Sequence, residues 1–531
     1  MLGLELAVTL AAVILLCDAL SRRLGVAPPI LGLGFGVLLG LVPGLAEVHL
    51  PPEVVLLLFL PALLYWESLT TSLREIRTNI RGIVLTSTVL VVLTAAAVAT
   101  VLHLLGLPWG PAWVLGAAVA PTDATAVGIL ARSLPRRTVT TLRAESLVND
   151  GTALVVFALA VTVTTGEGTI TPLHVVGLVL LSYLGGGAAG LVTAWLATQL
   201  RRRALDALQE NMITLLTPFA AYLIAELIGA SGVIAVVVCG LTMSQIGPRV
   251  GRPETRIQTT AVWDLGTGML NGALFVLVGL EFVPAVRRLT SVGILQALVA
   301  VAAVTAVLVV VRIAFLFGSA YLIRLIDRRP QQRLLRVSNR ARIVSGLSGF
   351  RGAVSLAVAL SVPATAHSGG SFPDRDLIVF VTAGVIAATL IGQGAGLPRV
   401  VRWARLPRDA GVAEERHLAQ IRATEAALVA LPQLAAQLGT DPDTAQQIRR
   451  EYENTLRALR DTDGDPDGAT APGRDQAATE LRRALIARKR DTVLALRDQQ
   501  QIDDIVMRQI LARLDIEAVR LTPQLGADGM E

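Results

Sequence analysis

Glu145-Ser146-Leu147-Val148-Asn149-Asp150-Gly151 opens an apolar run, Thr152 to Thr165, that with its flanks is long enough to cross a bilayer. Ionisable side chains inside a membrane span are costly and mark a functional site by default. Here two acids and an amide fall within two helical turns. The stretch points to Asp150 as the group that alternately holds a cation and a proton, and to a chain that exchanges the two.

The whole composition agrees with a polytopic all-α membrane protein. Of 531 residues, 53% are hydrophobic and only 17% charged, too few charges to cover a soluble protein of this size. Mean hydropathy is +0.61. The apolar residues come in blocks of about 20, the length that spans the hydrocarbon core. A membrane barrel would instead show alternating segments of about ten residues. The net charge of +6 reads as basic loops on one membrane face, and no nucleic-acid partner is expected. Cys17 and Cys239 lie in separate runs and the five histidines are scattered, so neither a disulfide framework nor a metal cluster is expected. The first run, Leu2–Leu20, has no basic start and ends in Arg22-Arg23, unlike a cleavable signal peptide.

Hydropathy gives about thirteen spans. They are 2–20, 27–46, 51–69, 80–104, 110–132, 142–165, 172–199, 210–228, 230–247, 262–283, 292–322, 341–365 and 376–397. Alternate loops carry most of the arginines: Arg22 and Arg23; Arg74, Arg77 and Arg81; Arg136 and Arg137; Arg201 to Arg203; Arg249, Arg252 and Arg256; Arg328 and Arg329; and the segment after Pro398, while the intervening loops are nearly free of basic residues apart from Arg287, Arg288 and Arg375. The positive-inside rule then places the N-terminus outside and the C-terminus in the cytoplasm, which an odd number of spans requires. The chain divides into a membrane domain, residues 1–403, and a cytoplasmic tail, residues 404–531. Helical periodicity in the tail appears at 414–438, 443–460 and 476–521, with a linker of turn and breaker residues over 461–475. The tail is expected to be regulatory, with no motif that names what it binds.

Helix geometry sorts the central acids. Residues four apart share a face, so Ser146 and Asp150 point one way and Glu145 and Asn149 form a neighbouring pair. Glu145 and Asp150 are about 140° apart around the helix and do not chelate one ion together. Glu145 therefore needs a positive partner elsewhere. In Ala120-Pro121-Thr122-Asp123-Ala124-Thr125, Pro121 cannot donate a helical hydrogen bond, which frees a carbonyl one turn back. Such a break is tolerated in a membrane where it faces protein or a wet cavity. The competing reading is a structural kink with Asp123 as a cap. In Gly349-Phe350-Arg351-Gly352-Ala353-Val354-Ser355 an arginine at membrane depth must be paired. Arg351 is the expected partner of Glu145; a plain interface anchor is the alternative. Glu67, at the end of Leu60–Leu69, reaches either the cavity or only the interface. Arg312 lies deep in its run, and nothing in the pattern assigns it a role.

Four stretches together resemble a known family: APTDATAV, ESLVNDGTALVVF, LFVLVGLEF and GFRGAVSLAVAL. They are similar, in order and spacing over roughly residues 1–400, to monovalent cation:proton antiporters of the NhaP and sodium/proton exchanger type. The resemblance implies a homodimer, each protomer combining a dimerisation scaffold with a core domain built from an inverted repeat. It implies two unwound spans crossing near the ion site, here those of Thr122-Asp123 and Phe350-Arg351. It implies Na⁺ bound at Thr122, Ser146 and Asp150, with Asp123 nearby and Asn149 in the family's amide position. It also implies the buried Glu145–Arg351 pair. The family's acid after Leu-Pro-Pro usually falls one residue earlier, where this chain has Trp66, so the role of Glu67 stays open.

Alkali ions prefer oxygen ligands such as carboxylates, hydroxyls and carbonyls. Cation and proton would compete for the Asp150 carboxylate, and an occupied, less charged site would cross more readily than an empty one. With Asn149 in place of a second acid, one-for-one, electroneutral exchange of Na⁺ (or Li⁺ or K⁺) for H⁺ across the plasma membrane is expected. No cofactor and no enzymatic nucleophile–base pair is expected. A K⁺-preferring antiporter, a cation channel using the same acids and a receptor signalling through the tail are the alternatives.

Overall fold

The structure, a computed structural model, describes residues 2–42, 55–123, 134, 136–166, 172–326, 338–363, 365, 372–406, 411–461 and 476–521. Among these residues the chain is all-helical, with no strand element. The membrane part begins with α1 (Leu2–Leu24), α2 (Pro28–Gly40) and α3 (Leu60–Thr70). Next come α4 (Leu73–Leu104), α5 (Trp109–Val119), α6 (Arg136–Thr165) and α7 (Val175–Arg203). Then follow α8 (Ala207–Leu227), α9 (Gly232–Val250), α10 (Pro253–Arg287) and α11 (Ile294–Ile326). Two short helices, α12 (Asn339–Leu347) and α13 (Ala353–Leu360), precede the long α14 (Arg375–Ala404).

Among the described residues seven helices are long and apolar enough to cross a membrane: α4, the Thr138–Thr165 part of α6, α7, α9, α10, α11 and α14. Shorter apolar helices stand at α2, Leu57–Thr70 and α5. Parts of the expected runs at 27–46, 51–69, 110–132 and 341–365 lie outside the described residues, as do Ala124, Thr125, Arg328, Arg329 and the linker from 462 on. The run expected at 341–365 is not one helix; it stops at Leu347 and restarts at Ala353.

Helix starts follow their caps. Asp206, Ser231 and Ser338 each accept a hydrogen bond from the backbone N–H three residues on, opening α8, α9 and α12. Inside α4, the π-helical turn Leu85–Val89 interrupts the regular ladder. The Ser87 carbonyl there accepts from Thr152 Oγ1 at 2.7 Å, and Ser87 Oγ donates to the Glu145 carbonyl at 3.3 Å. This irregular turn thus ties α4 to the helix that carries the central acids.

The apolar core falls into two main clusters. One joins α5, α11, α13, α14 and the second half of α10. The other joins α3, α7, α8 and α9. α2 and α10 cross so closely that a Cβ on Gly36 would lie 2.1 Å from the Val276 carbonyl, and one on Gly279 would lie 2.2 Å from that of Leu33. Small residues that let backbones touch are how helices associate without a hydrophobic drive between them. In Gly185-Gly186-Gly187 the first two glycines pack against the Ala230–Ser231 turn, while Gly187 faces open space.

The tail forms four helices: α15 (Gly411–Gln437), α16 (Pro442–Asp461), α17 (Gln476–Asp498) and α18 (Asp504–Arg520). They bury their own apolar clusters, one around Val493, Val506 and Met507, another around Leu431, Tyr452 and Leu481. α18 also docks on the membrane part. Asp503 accepts from Ser72 Oγ at 2.6 Å, and Asp504 Oδ2 from the backbone N–H of Leu73 at 3.1 Å and of Arg74 at 3.4 Å. Arg508 donates to the Leu69 carbonyl at 3.2 Å and to that of Thr70. Carboxylates thus meet the positive N-terminus of α4 and a guanidinium the negative C-terminus of α3. Asp515 pairs with Arg256 at the start of α10, with Arg256 Nε 2.6 Å from Oδ2.

Candidate functional site

Two helix breaks build the site. α5 ends at Val119, and residues 120–123 leave the helix where Pro121 stands. α12 and α13 are separated by residues 348–352, which hold Gly349 and Gly352. The breaks meet: the Asp123 N–H donates to the Phe350 carbonyl at 2.9 Å. The Asp123 carboxylate lies against Gly352, where an added Cβ would be 1.9 Å from Oδ2. Gly352 has an extended backbone, φ −114° and ψ −173°, that any residue adopts, so space and not conformation demands glycine.

Gly352→Ala is accordingly expected to force the crossing apart. A cost of about 3 kcal/mol, the upper end for overpacking, would show as a lowered melting temperature together with lost transport. Gly187→Ala, which meets nothing within 4 Å, is the matched control. Equal melting curves for the two variants would contradict the crossing described here.

α6 sorts its polar residues by face. Asp150 and Ser146, 6% and 5% exposed, line a cavity of about 660 Å³ empty volume, mouth included. Glu67, Pro121, Thr122, Asp123, Asn271, Gly352 and Ser355 line the same cavity, with Phe59, Leu60, Leu63, Leu64, Leu274, Phe275, Val354 and Ala357 as its apolar walls. Asn149 lies behind this surface and donates from Nδ2 to Thr122 Oγ1 at 2.8 Å, so it positions the threonine. Glu145 does not line the cavity.

Glu145 takes a different partner from the one expected. Arg312 of α11 grips it with two bonds, Nη1 to Oε1 at 2.5 Å and Nη2 to Oε2 at 3.1 Å, both side chains only 4% exposed. Arg312 Nε donates to the Ser345 carbonyl at 3.1 Å, and Thr122 Oγ1 reaches Glu145 Oε1 at 3.5 Å. The expected Glu145–Arg351 pair is therefore corrected to Glu145–Arg312. Arg351 instead folds back and donates to the Gly349 carbonyl at 3.0 Å, while its own N–H reaches Thr389 Oγ1 at 3.4 Å. The reason lies in the break: unwinding strands a carbonyl at Gly349, and the guanidinium two residues on fills that need.

The expected residues Glu67, Thr122, Asp123, Ser146 and Asp150 thus come together on one cavity, with Asn149 directly behind. Sequence reasoning overlooked Asn271 and Ser355 and left Arg312 without a role. A lone arginine 18 residues into an apolar run was the available signal for Arg312. Among the described residues no three His, Cys, Asp or Glu side chains cluster to hold a metal. What the cavity offers is a set of hard oxygens suited to a small, singly charged cation. Asp150 accepts no hydrogen bond from a described residue, so its carboxylate is free to take a proton or an ion.

Comparison with known proteins places these features. The family model described as sodium/hydrogen exchanger, transmembrane, matches residues 8–403. An uncharacterised Na⁺/H⁺ exchanger of Mycobacterium tuberculosis is 44% identical over 528 residues, covering 99% of this chain and 97% of its own. A protein of Bacillus pumilus named a sodium, potassium, lithium and rubidium/H⁺ antiporter is 30% identical, over 73% of this chain and 60% of its own. Among solved structures, the sodium proton antiporter MjNhaP1 of Methanocaldococcus jannaschii aligns with a TM-score of 0.58 at 18% identity. The match covers 76% of this chain and 99% of that one, a likeness of fold.

Proposed function

This chain belongs to the transmembrane sodium/hydrogen exchanger family, and from that premise we propose that it is a secondary active antiporter, exchanging Na⁺ for H⁺ at Asp150. The observation that carries the reading is the Asp150 carboxylate, nearly buried yet on an open cavity and bonded to no described residue. Ser146 and Thr122 sit beside it as neutral oxygen ligands, and Asp123 and Glu67 supply negative potential around the entry.

Cation and proton are mutually exclusive guests of one carboxylate. Either guest removes a charge that is costly to carry through a low-dielectric interior. The empty, charged site resists movement, so the two fluxes are coupled. Asn149, neutral and engaged with Thr122, adds no second exchangeable proton. Exchange is then one for one and electroneutral. Alternating access would move the broken-helix wall, α5, α6 and α13, against a scaffold that includes α2 and α10. In this reading the chain crosses the plasma membrane about thirteen times as a homodimer, N-terminus outside. Residues 404–531 form a cytoplasmic, regulatory tail.

The test is purified protein in proteoliposomes, with internal pH read by a dye. An imposed Na⁺ gradient should move protons, and clamping the membrane potential should leave the rate unchanged. Li⁺ and K⁺ belong in the same series, because one relative is named for four alkali ions. Cation flux without proton movement would favour a channel and end the antiporter reading.

A further inference from the structure

The cavity has two unlike walls. One comes from residues 121–123, α6, Gly352 and α13; the other, from Phe59, α3 and α10, is apolar except at Glu67 and Asn271. Asn271, Leu274 and Phe275 are spaced i, i+3, i+4 on α10, which puts them on one helix face. All three line the cavity. Among the described residues nothing hydrogen-bonds the Asn271 amide, although the side chain is half-buried in an apolar wall. A polar group so placed costs free energy unless a solute or water in the cavity satisfies it. Its helix is also held in place: the Gly36–Gly279 contact locks α10 to α2 two turns further on.

We propose that Asn271 is a specificity-determining residue for the transported cation. Its amide, fixed on the scaffold wall, holds the partly hydrated ion, or a water of its shell, opposite Asp150. The inference rests on the antiporter reading above. A small ion that keeps its water tightly would depend on this contact more than a large one. An apolar side chain there would oblige the ion to shed that water before reaching the carboxylate.

The experiment compares wild type, Asn271→Leu and Asn271→Ser as full chains. Exchange kinetics in proteoliposomes are run with Na⁺, Li⁺ and K⁺. In parallel, the rise in melting temperature is titrated with NaCl and LiCl, which reads cation binding whether or not transport occurs. Asn271→Leu should raise KM and the thermal-titration midpoint about five-fold for Na⁺, the size of one net hydrogen bond. The rise should be larger for Li⁺ than for K⁺, and the maximal rate should hold. Asn271→Ser, which keeps a polar oxygen, should recover most of the affinity. Unchanged midpoints in the leucine variant, or an equal rise for every ion in both variants, would overturn the proposal. Wild-type protein that binds Na⁺ but does not move protons would overturn the antiporter reading instead, and the midpoints would still decide the role of Asn271.

Discussion

Asp150→Asn is expected to abolish sodium-driven proton movement in proteoliposomes while leaving the protein folded. The asparagine keeps the shape and the oxygen but removes the charge and the carboxylate that cation and proton would share. A full charge about 4 Å from a cation is worth about 4 kcal/mol at an effective dielectric near 20. That corresponds to a loss of roughly a thousand-fold in cation affinity. Folding should be spared, because the carboxylate bonds to no described residue and lies 6% exposed. The melting temperature should therefore match or exceed wild type. Exchange above about a tenth of the wild-type rate, well within what a thousand-fold affinity loss forbids, would remove Asp150 from the centre of the mechanism.

Arg312→Met should do the reverse, injuring stability first. It leaves Glu145 buried with no countercharge in its grip, a situation that costs about 3–5 kcal/mol. Removing both charges, in the double variant Glu145→Gln/Arg312→Met, should restore much of the loss, since neutral buried side chains carry no such penalty. Arg351→Met removes one hydrogen bond to the Gly349 carbonyl and should cost less, about 1–3 kcal/mol. Melting curves of the four detergent-solubilised proteins decide the matter. A larger drop for Arg351→Met than for Arg312→Met would return Glu145 to the partner first expected from its sequence.

That exchange of partners shows what the residues alone convey. The 3.6-residue period was enough to separate the Ser146–Asp150 face from Glu145, because the information lies within one helix. It also established that Glu145 needs a cation. Choosing between two buried arginines did not follow, because Arg312 stands 167 positions away and the choice depends on how α11 packs beside α6. The helix break at Pro121 was visible, since backbone chemistry there is local, while the one at Phe350-Arg351 was expected from the resemblance. Their crossing through Asp123 and Phe350 joins distant segments and emerges only from the fold. Asn271 escaped notice because one amide barely alters the hydropathy of a long run. Asp503 and Asp504 escaped for the opposite reason: two adjacent acids in a charged tail look like solvated surface, yet both are almost fully buried.

Those two aspartates and Arg508 give the corner between α3 and α4 hydrogen-bond partners from the tail. Residues 69–74 and 503–508 therefore make a lock and key that must travel together. A chimera that borrows the tail of a relative without its matching corner would inherit two mismatched helix ends one turn from Glu67. Grafting both segments at once is the way to trade tails among these proteins.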